Sequence, residues 1–152
     1  MPWMKTLLPI VLVWAISFPL NAADVDGDGL QDYQVTAGWG HTCVLDDNGV
    51  QCWGYNGHGQ TDDAPTGLVN PVVVSAGAYH TCAIDDNGLH CWGMNNSGQI
   101  DVPSLSNPTE LSGGDQHTCA LDDNGLHCWG KNNFGQTDVP TDLVNPVAVS
   151  AG

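Results

Sequence analysis

HTCVLDDNGVQCWG, residues 41–54, returns as HTCAIDDNGLHCWG at 80–93 and as HTCALDDNGLHCWG at 117–130. Upstream of these blocks, VTAG ending at Gly38 matches VSAG ending at Gly77, LSGG ending at Gly114 and VSAG ending at Gly152. Downstream, YNGHGQTDDAP, MNNSGQIDVP and KNNFGQTDVP keep a Gly-Gln pair in the same place. From Gly38 onward the chain is therefore three tandem copies of one unit, the signature of a repeat scaffold.

Within a copy the pattern is short strand, turn, short strand. Valine, isoleucine and leucine flank Asp-Asp-Asn-Gly, and Asn-Gly suits the positive-φ positions of a tight hairpin. No helical apolar stripe of useful length follows residue 23, so the repeats read as all-β. If Asp46 to Gly49 is a four-residue loop, Leu45 faces Val50 and Cys43 faces Cys52. Opposed residues at a non-hydrogen-bonded pair come within disulfide range. The same arithmetic pairs Cys82 with Cys91 and Cys119 with Cys128.

The first residues belong to something else. Lys5 precedes an apolar run, LLPIVLVWAISFPL from Leu7 to Leu20, and Ala22 and Ala23 are small. This is the pattern of a cleavable secretory signal over residues 1–22, too short and wrongly flanked for a stable membrane span. A secreted, periplasmic or cell-surface chain is implied, in a compartment that favours three disulfides from six cysteines. The formal charge is −15, and removing the signal takes Lys5 with it, leaving Lys131 as the single Lys or Arg. Such a chain repels nucleic acid and anionic membranes.

The run SAGxxHTCAxDDNGLHCWGxNxxGQ, as written from Ser75 to Gln99, resembles the short, cysteine-bearing RCC1-type repeat of exported bacterial proteins. The resemblance covers roughly Val35 to Gly152. It implies a partial β-propeller of about three RCC1-like blades, with four-stranded blades and commonly seven of them in the family. The organisation expected is a signal at 1–22, an acidic linker at 23–36 and repeats at 37–75, 76–112 and 113–152. An open three-blade stack exposes two apolar faces, so self-association or further repeats beyond Gly152 are both expected ways to cover them.

The recurring His41, His80 and His117, two residues before a cysteine, have a spacing that thiolates would make suitable for zinc. Disulfide sulfurs are not thiolate ligands, and a residue present once per blade serves the blade. These histidines are read as structural, bonded to backbone between strands, and Trp53, Trp92 and Trp129 as interblade packing groups. No nucleophile motif or paired-carboxylate constellation stands out, and the Asp pairs at the hairpin tips read as turn chemistry. No catalytic residue is assigned.

Specificity is expected where the copies differ, at Trp39, Tyr79 and Gln116 before the shared His, and at Tyr55, His58, Met94, Lys131 and Phe134 around the Asn-rich loop. A fixed scaffold presenting different side chains at equivalent loops is how repeat proteins build binding surfaces. The expected function is an exported, non-enzymatic recognition or assembly module for a protein or glycan. The alternatives are an enzyme inhibitor or targeting module attached to a hydrolytic system, and a non-autonomous fragment of a larger seven-bladed protein. No cofactor is required. One unrepeated stretch places Asp24, Asp26, Asp28 and Asp32 at positions 1, 3, 5 and 9 of a calcium-type loop, with Leu30 offering its carbonyl at position 7. Val35 stands where a bidentate Glu would close that loop, and the competing reading is an acidic spacer.

Overall fold

The computed structural model describes residues 33–62 and 67–152. The stretches expected to be a secretory signal and a calcium-type loop lie outside these residues. Three antiparallel sheets follow one another along the chain: β1 (Gln34–Ala37), β2 (His41–Asp46) and β3 (Gly49–Gly54); β4 (Val73–Ala76), β5 (His80–Asp85) and β6 (Gly88–Gly93); β7 (Glu110–Gly113), β8 (His117–Asp122) and β9 (Gly125–Gly130). Each sheet is one blade of a partial propeller. Each first strand begins ahead of the repeat boundary drawn from sequence, so Gln34, Val35 and Thr36 belong to blade 1 rather than to a linker.

The hairpin register is the expected one, with Cys43 opposite Cys52 and Leu45 opposite Val50. The loop is tighter than expected: Asp46 pairs with Gly49, leaving Asp47-Asn48 as a two-residue turn. Extending the ladder by one pair at the tip leaves every other pair unchanged. Gly49 takes φ 97°, which a side chain would resist. All three cysteine pairs are bonded, each with Cα atoms 4.1 Å apart.

The blades have three strands among the described residues, not four. After the third strand each copy enters a Gly- and Asn-rich loop and then a proline-punctuated connection without period-2 alternation, which cannot sustain a ladder. That connection is pinned to the next hairpin instead. Val72 N donates to Ile84 O at 2.9 Å and Asp86 N to Val69 O at 3.0 Å, and Thr109 N and Asp123 N repeat this at Leu121 O and Ser106 O. Asn70, Asn107 and Asn145 hold left-handed φ just before Pro71, Pro108 and Pro146.

Strand alternation sends side chains to both faces of a blade, and the core lies between blades. Cys43 and Leu45 pack on Val74 across the first boundary. Cys82 and Ile84 pack on Leu111 and Ala120 across the second. The Cys43–Cys52 and Cys82–Cys91 disulfides sit inside these seams, Cys43 and Cys82 being fully buried.

Candidate functional site

Each blade places two variable loops side by side at one end, through a single backbone bond. Tyr55 N donates to Gly40 O at 2.7 Å, Met94 N to Tyr79 O at 2.9 Å and Lys131 N to Gln116 O at 2.8 Å. The approach is close: a Cβ on Gly54 would lie 2.6 Å from Gly40 O, and Gly54 itself takes φ +109°. Glycine closing each Cys-Trp-Gly therefore brings the loops together. The following Asn-rich loop is braced internally. Asn56 accepts from Thr61 N at 2.9 Å and donates to Asp62 at 2.6 Å, while Gln60 Oε1 accepts from His58 N at 3.0 Å. Asn95 and Asn132 repeat the brace with Asp101 and Asp138.

On this frame the structure gathers four of the expected recognition residues. Tyr79 of blade 2 sits among three rings of blade 1, with centroids 5.5 Å from Trp39, 6.3 Å from Tyr55 and 5.3 Å from His58. Tyr55 and His58 close the group edge-on at 6.2 Å. Trp39 is 74% exposed, so the cluster presents a large aromatic surface held in mutual contact. At the next boundary Ser97 Oγ donates to Gln116 Oε1 at 3.3 Å, a contact the sequence reading did not anticipate, and Met94 is half-buried nearby in chain order. Lys131 and Phe134 occupy the equivalent places on blade 3 and join no ring contact among the described residues.

Two of the shared histidines bond a side chain of the next blade rather than the backbone expected: His41 Nε2 lies 2.9 Å from Thr81 Oγ1, and His80 Nε2 lies 2.9 Å from Thr118 Oγ1. Each threonine donates onward to a glutamine carbonyl, Thr81 to Gln60 O at 2.9 Å and Thr118 to Gln99 O at 2.8 Å. Its one proton is thereby used, so the hydroxyl accepts from the imidazole, which is the Nε2–H tautomer. Burial, then repulsion from His41 and His117, lowers the His80 pKa to about 4 against the pull of Asp115. Burial also lowers His41 and His117. The same glutamine carbonyls accept the indole protons of Trp92 at 3.1 Å and Trp129 at 3.0 Å. Trp53 is the exception: it is 55% exposed, having no preceding blade among the described residues to pack against. Gln60, Gln99, Thr81 and Thr118 were missed as interblade residues, although each period's His-Thr and Gly-Gln pairs were visible.

The acidic hairpin tips are structural. Asp122 accepts from Ser106 N at 2.8 Å, Asn124 N at 2.7 Å and His127 Nε2 at 2.9 Å. Burial alone would raise its pKa; these donors outweigh it and hold the carboxyl at about 2. Asp85 is arranged alike with Val69, Asn87 and His90, and is also lowered. Among the described residues no group of three or more His, Cys, Asp or Glu side chains is placed to hold a metal. No described helix is long and apolar enough to cross a membrane.

The model of the regulator of chromosome condensation (RCC1) repeat matches residues 33–60, 72–99 and 109–136, together more than half of the chain. The chain belongs to the RCC1 repeat family. Among solved structures, Prp20p from Saccharomyces cerevisiae superposes with TM-score 0.60 at 22% identity, over 72% of this chain and 33% of that one. The CRINKLY WD40 ectodomain of the Arabidopsis thaliana receptor kinase ACR4 gives 0.62 at 26%, over 77% and 43%. Human WBSCR16 gives 0.61 at 22%, over 74% and 38%. This RCC1-repeat chain thus spans between a third and a half of the length of these relatives. No curated protein matches it individually.

Proposed function

We propose that the chain is an exported, non-enzymatic recognition or assembly module that binds a protein partner at the aromatic end of blades 1 and 2. The observation that carries this is the Trp39–Tyr55–His58–Tyr79 cluster, in which four rings from three separate loops meet at the surface. Exposed, pre-assembled aromatic groups supply large contact area at low entropic cost, and Trp and Tyr are enriched at binding hot spots. The braced Asn-rich loops fix the surface before a partner arrives. Related blades have protein partners: the Prp20p structure is described with its binding to Gsp1p and histones, and yeast RCC1 was crystallised with Kap60 bound. Export is supported by the signal-like first 22 residues and by six cysteines that are all paired.

The test is comparative capture from the host's envelope and culture fluid. The unmodified chain and a Trp39→Ala/Tyr79→Ala variant would be immobilised, and bound proteins quantified by mass spectrometry. Proteins retained by the first and lost from the second support the reading, and equal retention by both sinks it. Binding confined to a glycan array would move the partner class to carbohydrate.

A further inference from the structure

Beside the aromatic cluster runs a row of three equivalent positions, one from each blade. Trp39, Ala78 and Asp115 each stand two residues before their blade's shared histidine. Backbone bonds hold the row together, Trp39 N donating to Ala78 O at 3.4 Å and Ala78 N to Gly114 O at 3.0 Å. Ala78 therefore has a described neighbour on both sides, and it and Tyr79 stay partly exposed even so. It contributes only a methyl group between an indole on one side and a carboxylate on the other. Tyr79 backs the indole, its ring centroid 5.5 Å from that of Trp39.

Asp115 is held in place from across the second seam. Ser97 Oγ of blade 2 donates to Gln116 Oε1 at 3.3 Å, and Gln116 Nε2 donates to Asp115 Oδ2 at 3.0 Å. Asp115 Oδ1 keeps no hydrogen-bond partner among the described residues. The carboxylate's charge is felt by His80 of blade 2 as well as by His117, so it stands over the seam. No cation of the chain answers it: Lys131 is the one Lys or Arg among the described residues and joins no ion pair there. With a formal charge of −15, the chain attracts cationic partners.

The geometry points to a cationic side chain of the protein partner, an arginine or a lysine, as the group this end receives. Its stem lies over the Ala78 methyl, and its charged head is shared between the Trp39 ring and the Asp115 carboxylate. Ring faces attract a cation through their quadrupole, and the free carboxylate oxygen accepts its N–H. A long stem also covers apolar surface while its head stays in water. This assignment rests on the aromatic cluster being the recognition surface, and adds the charge of the group bound there.

NMR titration of the full chain, bridges intact, with acetyl-Gly-Gly-Arg-Gly-Gly-amide at physiological salt tests this through the Ala78 and Tyr79 amide signals. The peptide is expected to shift them saturably, and its citrulline counterpart, uncharged but of equal shape, to bind about fivefold more weakly or less. Asp115→Asn and Trp39→Ala are each expected to weaken binding about threefold or more, with the spectra reporting that each variant is folded. Glu110→Gln removes the same charge at the far end of β7. It is expected to leave affinity within about twofold, the Debye length being about 8 Å. Unshifted signals, equal binding of the citrulline peptide, or equal losses from Asp115→Asn and Glu110→Gln overturn the inference. Partner capture separates the two failures. Loss with Trp39→Ala/Tyr79→Ala but full retention with Asp115→Asn overturns the cation assignment and leaves the recognition surface standing. Retention by every variant removes both.

Discussion

His80 Nε2 lies 2.9 Å from Thr118 Oγ1, and that hydroxyl donates to the Gln99 carbonyl, so the imidazole between blades 2 and 3 is a neutral donor. Protonating it would place a charge in a seam where the nearest ionisable partners include two more histidines. The folded pKa is lowered to about 4 from 6.5. Below pH 6.5 the unfolded chain takes up a proton that the folded chain refuses, so the stabilisation is complete above 6.5 and is lost as pH falls toward 4. Its size is on the order of 3 kcal/mol. Urea unfolding at a series of pH values should show the midpoint falling through this window, with a shallower fall in His80→Gln. A midpoint independent of pH between 7 and 4 would contradict the buried neutral role.

The threonines at the seams are fully buried and serve as acceptor and donor at once. Thr81→Val or Thr118→Val keeps the volume but strands a histidine N–H. Each should cost about 1–3 kcal/mol. Thr42→Val, at the equivalent position without a side-chain partner among the described residues, should change the stability of the chain by no more than about 0.5 kcal/mol. Equal costs at all three positions would mean the seam bonds contribute nothing specific.

Each disulfide joins directly opposed strand residues, and those of blades 1 and 2 also line a seam. Replacing Cys82 and Cys91 together by alanine should destabilise the chain by about 2–3 kcal/mol through loop closure. Peptide mapping without reduction should recover Cys43–Cys52, Cys82–Cys91 and Cys119–Cys128 as separate linked pairs. A crossed pairing between repeats would overturn the hairpin register itself.

Calcium is the expectation attached to Asp24, Asp26, Asp28, the Leu30 carbonyl and Asp32, which lie outside the described residues. Isothermal titration of the full chain should show saturable calcium binding at millimolar concentration or below. Asp26→Asn with Asp28→Asn should abolish it. Heat identical in both proteins would assign the segment to an acidic spacer.

Repetition made the blade legible. Three copies of His-Thr-Cys and Cys-Trp-Gly around Asp-Asp-Asn-Gly give strand, turn and strand, and period-2 geometry then gives the cysteine pairing. The first strand of each blade was less visible, because Gln34–Ala37 and its equivalents are only four residues long. The recognition residues were legible as positions of difference between copies. Their grouping was not, because nothing in the spacing of Trp39, Tyr55, His58 and Tyr79 indicates that Tyr79 crosses to the rings of the preceding blade.

By itself the sequence determined the unit, the hairpin register and the three disulfides, because these are local and follow from strand alternation and short loops. Only the tertiary structure decided what the shared residues do for one another. A histidine finds its threonine 38 or 40 residues away, and a tryptophan finds its glutamine carbonyl 30 or 32 residues away. Those distances along the chain are set by the stacking of whole blades. Stacking also makes Trp92 a buried donor and leaves Trp53, in the same motif, at the surface.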